Sequence, residues 1–139
     1  MEFISKNNIV ALSNSGVVSR QLINPENSNS QRVTITEVHL EVGACQPRHI
    51  HKASEQIWYA IKGSGRLLLS DEKEQKFMAG DVVRFTDREV HGLINDSEEE
   101  FIYISVTALR YPPLLPLTST TKASIPSFSN FFNLFLICL

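Results

Sequence analysis

The sequence predicts an all-β domain, a sandwich or barrel built from many short strands. From about Arg32 to Ala108, short apolar segments, some strictly alternating, are punctuated at short intervals by turn-forming residues. No stretch of that segment carries helical periodicity. With 139 residues the chain is sized for one compact core.

Taken in order, Asn24 to Gln31 is rich in Asn and Ser, contains Pro25, and reads as a loop. Arg32 to Val42 then alternates. Thr34, Thr36, Val38, Leu40 and Val42 share one face, and Val33, Ile35, Glu37, His39 and Glu41 the other, as expected of a half-buried strand. Gln56–Ile61 and Arg66–Ser70 read as strands flanking Gly63-Ser64-Gly65, whose glycines permit the positive φ of a hairpin turn. Asp71 to Glu74 makes a second, charged turn. Strands are expected again at Lys76–Met78, Asp81–Phe85, Glu89–Ile94 and Phe101–Val106, separated by Ala79-Gly80, Thr86-Asp87-Arg88 and the loop from Asn95 to Glu100.

The domain is expected to end near Tyr111, giving a core unit 1–111 and a tail 112–139. The tail holds four prolines, a Ser/Thr-rich stretch and a closing apolar run from Phe131 to Leu139, with no charge after Lys122. Prolines at that density oppose a continuing strand or helix. The closing run is far short of the roughly 20 residues that span a bilayer. It could fold back on the barrel, dock a partner or weakly seek a membrane. The abrupt change of composition favours instead an unstructured tail, or one foreign to the domain such as a shifted reading frame.

Bulk properties exclude several functions. The composition, 42% hydrophobic and 20% charged with a formal charge of −2, is that of an ordinary globular protein and argues against nucleic acid or an anionic membrane as partner. Two cysteines, Cys45 and Cys138, do not make a disulfide framework. The opening Met-Glu-Phe-Ile-Ser-Lys is not a basic start followed by an apolar run, so no secretory signal is expected and the cytoplasm is the default compartment.

Function must therefore come from a site, and metal-ligating side chains gather at one place. His49 and His51 lie two residues apart, which on a strand points both to the same side. An acidic or amide residue follows at Glu55-Gln56, and His91 comes forty positions after His51 on a different expected strand. The fourth histidine, His39, falls in an ordinary strand face. Imidazole nitrogens with an oxygen donor suit a divalent transition metal: Fe, Mn, Ni, Co, Cu or Zn.

These residues resemble the paired motifs of the cupins. Gly43, five residues, His49, one residue, His51, a short gap, an acidic or amide residue and then Gly63 is similar to the first motif. Gly80, five residues, Thr86, then His91, three residues and Asn95 is similar to the second, with sixteen residues between Gly63 and Gly80. Two positions depart from the pattern: Thr86 stands where a proline is usual and Arg88 where a glycine is usual, both in a turn. The resemblance implies a double-stranded β-helix, a jelly-roll barrel whose mouth holds one divalent metal through His49, His51, His91 and a fourth donor. Counting forward from His51 admits either Glu55 or Gln56. Counting back from Gly63 leaves the family's usual gap only for Gln56, which is the expected ligand although the family usually has Glu there. Alternation would place Trp58 and Ala60 inside with it, and Glu55, Ile57 and Tyr59 outside.

No separate general base stands out; Glu41, Glu55, Tyr59 and Arg84 qualify only if the barrel turns them inward. Arg48 reads as a solvated loop residue rather than an anion clamp, Trp58 as barrel lining, and Asn95 as a residue that closes its loop. The expected function is that of a metal-dependent enzyme on a small polar or anionic molecule, of dioxygenase or isomerase/epimerase type. The alternative is a non-catalytic small-ligand-binding or sensing barrel. Exposed strand edges and the resemblance together suggest a homodimer.

Overall fold

The computed structural model describes residues 1–109. The expected tail, 112–139, and the boundary at Tyr111 lie outside the described residues. Ten strands are present among the described residues: β1 (Ala11–Asn14), β2 (Val17–Ile23), β3 (Val33–Leu40), β4 (Cys45–His49), β5 (Ser54–Lys62), β6 (Ser64–Leu68), β7 (Glu74–Met78), β8 (Val82–Phe85), β9 (His91–Ile94) and β10 (Phe101–Leu109). Two single 3-10 turns, Lys6–Asn8 and Ser70–Glu72, are the only helical geometry among the described residues. A six-stranded sheet runs β1-β2-β3-β10-β5-β8 and a four-stranded sheet β4-β9-β6-β7, with antiparallel pairing throughout. From β3 onward the chain alternates between the sheets, with only β6 and β7 staying together. This is the double-stranded β-helix.

The core lies between the sheets because alternate residues of each strand face inward. On β5, Ser54, Gln56, Trp58 and Ala60 are buried, while Tyr59 and Ile61 are exposed. Beside them in the same sheet, β10 turns Phe101, Tyr103 and Ser105 inward. Trp58 and Tyr103 pack with ring centroids 4.8 Å apart, and Phe77 reaches Phe101 at 5.7 Å from the facing sheet. Each such fully buried large apolar side chain contributes roughly 1.5–3 kcal/mol. The alternation expected for Arg32 to Val42 holds as far as Leu40. Val38 and Leu40 are buried, but Val42 lies past the end of β3 and is exposed.

Two further features of the strand order differ from the expectations. Gly63-Ser64-Gly65 is not a hairpin turn: β5 pairs with β10 and β8, whereas β6 pairs with β7 and β9, so these residues carry the chain from one sheet to the other. Only Gly63 has positive φ, +75°. Its second role is steric, since a Cβ there would stand 2.7 Å from Glu100 O. Secondly, two strands precede the region read as strand-rich. They turn at Ser15-Gly16, whose φ values of 42° and 80° suit a two-residue hairpin. The Asn-rich segment is a loop as expected, with Asn24 Oδ1 accepting from the backbone N–H of Glu26 and Asn27, both at 2.9 Å.

Candidate metal centre

β4 and β9 are neighbours in the smaller sheet, and His49, the last residue of β4, stands directly across from His91, the first of β9. What lets the two strands approach here is Gly92. A Cβ on residue 92 would meet Gln46 O at 2.7 Å and Arg48 N and Pro47 C at 2.9 Å, all backbone atoms of β4. His51 lies beyond the end of β4 and so is not on a strand. It is held by the turn after β8, where Arg88 donates its N–H to His51 O at 2.7 Å. Arg88 adopts φ +65°, the left-handed conformation that favours glycine, so the departure at this position keeps the turn at a cost of order 1 kcal/mol. Glu89 braces the same turn, its carboxylate accepting from Thr86 N at 2.9 Å and Thr86 Oγ1 at 3.2 Å.

The three imidazoles converge. One nitrogen of each of His49, His51 and His91 lies within 4.8 Å of the others, and the ring centroids are 4.4 to 5.3 Å apart. Among the described residues this is the one group of at least three His, Cys, Asp or Glu with ligand atoms so close. His49 Nδ1 is 2.9 Å from Pro47 O and His91 Nδ1 is 2.8 Å from Glu89 O. A carbonyl only accepts, so each Nδ1 carries the proton and each Nε2 is left with a lone pair. Burial pushes all three histidines below their ordinary range, His51 to about 4 and His91 to about 3, with the charge of His49 adding to the effect on both. At neutral pH the rings are therefore uncharged, the state in which imidazole binds a metal.

Gln56 joins this group and Glu55 does not. Gln56 is buried, and its Oε1 lies 3.0 Å from His91 Nε2. The same oxygen accepts from Trp58 Nε1 at 3.2 Å, and Gln56 Nε2 donates to Thr107 Oγ1 at 2.9 Å, across from it on β10. Glu55 points to the outer surface, where its carboxylate meets Arg84 Nη2 at 2.6 Å; that hydrogen bond holds it below the usual carboxylate range. The contact between Gln56 and His91 is chemically informative. A neutral His91 ring has one proton for two acceptors, Glu89 O at 2.8 Å and Gln56 Oε1 at 3.0 Å; with the proton on the shorter contact, lone pairs meet at the longer. A cation at these atoms would be matched by both. The donor set, three neutral imidazoles and one amide oxygen, fits a divalent transition metal.

The remaining candidates lie elsewhere. Glu41 and Tyr59 are exposed, and Arg84 pairs with Glu55 on the outer side of β5 and β8, beside an open groove that also includes Thr86 and Asp87. Arg48 is engaged by Leu69 O at 2.9 Å and the Glu72 carboxylate at 3.2 Å. Asn95 is fully buried. Its Nδ2 donates to Leu40 O and Glu99 O at 2.9 and 2.8 Å, and its Oδ1 accepts from Ser97 N and Oγ, so it closes the loop before β10. His39 lies on the outer face of β3 between Glu37 at 2.9 Å and Glu100 at 3.1 Å. Sequence reasoning singled out neither Gly92 nor the N–H of Trp58. A glycine directly after a suspected ligand was the available signal for the first.

A family model described as "Cupin domain" matches residues 36–107, just over half the chain. The chain is a cupin. An uncharacterised protein of Methanocaldococcus jannaschii is 26% identical over 98 residues, covering 70% of this chain and 75% of that protein. Among solved structures, a predicted oxalate decarboxylase from Thermotoga maritima superposes with a TM-score of 0.67 at 20% identity, over 78% of this chain and 99% of that one. The polyketide cyclase RemF from Streptomyces resistomycificus gives 0.66 at 22%, covering 81% and 82%. At these identities the similarity carries the cupin fold and leaves activity to the site.

Proposed function

We propose that this cupin holds one divalent transition metal through His49, His51, His91 and the Gln56 amide oxygen, and acts as a metal-dependent enzyme on a small polar or anionic organic molecule. The observation that carries the reading is the set of converging, uncharged imidazoles, two of them with Nδ1 committed to backbone carbonyls and Nε2 left as a lone pair. A bound metal would supply open coordination positions and a Lewis-acid charge to the molecule it meets there. Gln56, being neutral, leaves the centre at a formal +2, and so more electrophilic than a carboxylate at the same position would. The candidate side-chain bases point outward, which supports dioxygenase chemistry over isomerase/epimerase chemistry, because the latter moves a proton that an inward base would have to take. The same outward placement favours a second reading, a non-catalytic binding barrel.

Elemental analysis of protein purified without added metal tests the site. One metal per chain is expected in the parent and little in His51→Ala or His91→Ala; equal metal in all three removes the assignment. Oxygen-uptake and isomerisation screens with small acids, thiols and phenols on metal-loaded protein then separate enzyme from binder. We further propose a cytoplasmic homodimer. Tyr59, Ile61 and Val82 expose apolar surface on the outer side of β5 and β8, and among the described residues β1 and β8 each have a strand neighbour on one side only. Light scattering at two concentrations checks it. No helix among the described residues is long and apolar enough to cross a membrane.

A further inference from the structure

A glutamine can turn its amide over. If Gln56 did so, its Nε2–H would point at His91 Nε2 and satisfy that lone pair with an ordinary hydrogen bond. Thr107 does not prevent this, because a hydroxyl both donates and accepts and would serve either end of the amide. Trp58 does prevent it. Its Nε1–H is a donor only, it lies 3.2 Å from Gln56 Oε1, and its ring is wedged among Phe85, His91 and Tyr103 at centroid distances of 5.0, 5.3 and 4.8 Å. A turned amide would set N–H against N–H inside the core.

We propose that Trp58 is a positioning residue for the metal centre. Its indole N–H holds the Gln56 carbonyl oxygen toward His91 and so denies the metal-free site a hydrogen bond by which it could satisfy itself. The inference rests on the metal reading above and adds why the amide oxygen is the atom presented. His91 has acceptors at both nitrogens, Glu89 O at 2.8 Å and Gln56 Oε1 at 3.0 Å, while a neutral ring has one proton to give. One of the two contacts is unmatched until a cation arrives. The unmatched contact weakens the metal-free state and leaves the loaded one untouched, so it strengthens binding.

The test is a double-mutant cycle on Co(II) binding to the full chain, followed by d–d absorption and chelator competition. Trp58→Phe is expected to weaken binding about tenfold when residue 56 is glutamine, the effect of one hydrogen bond regained by the metal-free state. On a Gln56→Glu background the loss should shrink to twofold or less, because a carboxylate presents an oxygen whichever way it turns. An equal loss on both backgrounds would mean that Trp58 acts through packing alone and would overturn the inference. A parent that takes up no Co(II) would instead overturn the metal reading. ¹⁵N spectra of the metal-free protein decide the positioning independently of metal, and on the parent alone should Trp58→Phe fail to fold. The expected parent spectrum shows His91 protonated at Nδ1 with a bare Nε2, and in Trp58→Phe that Nε2 accepts from the Gln56 amide. A parent in which Nε2 is protonated, or already accepts from Gln56, overturns the proposal.

Discussion

In a Gly92→Ala variant the added methyl group falls 2.7 Å from Gln46 O and 2.9 Å from both Arg48 N and Pro47 C. All three are backbone atoms, so no change of rotamer relieves the overlap and β9 must draw away from β4. Restoring ordinary van der Waals separation at the closest contact requires a shift of roughly 0.7 Å. Overpacking of that kind costs about 1–3 kcal/mol, and in a domain of this size that lowers the melting temperature by roughly 5–15 °C. The strands being parted carry His49 and His91 face to face, so the metal site opens with them, and metal affinity should fall about tenfold or more. Gly43→Ala is the control. A Cβ there meets nothing within 4 Å, so the cost is the φ of +78° alone, about 1 kcal/mol, with metal affinity unchanged. Thermal melts of metal-free protein and chelator-competition titrations of both variants make the comparison. A Gly92→Ala protein that melts with the parent and binds metal as tightly would show that the close approach of β4 and β9 does not build the site.

Metal-free protein should lose stability as pH falls from about 6.5 toward 4. The folded-state pKa values of His49, His51 and His91 are lowered, so the unfolded chain takes up protons that the folded chain refuses. The slope approaches about 1.4 kcal/mol per pH unit for each of His51 and His91, about 3 for the two, and His49 adds in the same direction; urea melts at pH 7.5 and 5.5 measure it, and a flat profile contradicts the burial argument. Gln56→Ala should lower metal affinity while Glu55→Ala leaves it unchanged, because the Glu55 carboxylate is on the outer surface with Arg84; the opposite order would hand the ligand role to Glu55. Asn95→Ala should cost about 2–3 kcal/mol, since it removes the buried amide's bonds to the Leu40 and Glu99 carbonyls and frees the loop from Ser97 to Glu99, and calorimetry reads the loss.

The parts of this fold that were legible in the sequence are those written in side-chain type. Alternation put Val38 and Leu40 on a common face, which is the buried one, and Trp58 and Ala60 inside with Gln56, because a strand has no other way to bury one face. Polar inward positions hid β2, where Gln21 is buried and breaks the apolar rhythm, and β1 has no buried residue at all to mark it. Gly63 signalled a change of direction correctly and the strands it joins wrongly, while Gly65 lies within β6. A hairpin and a sheet crossing make the same local demand on φ, and only the distant strands β10 and β9 decide between them. The histidine cluster shows the same division. That three imidazoles are available is a matter of composition; that two of them present Nε2 and hold their protons on Nδ1 depends on the carbonyls of Pro47 and Glu89, which every residue type carries alike. The chemistry of this centre is thus set by backbone atoms that no motif can encode, and substitutions that shift those carbonyls without touching a ligand, Gly92→Ala first among them, should disturb it as surely as removing a histidine.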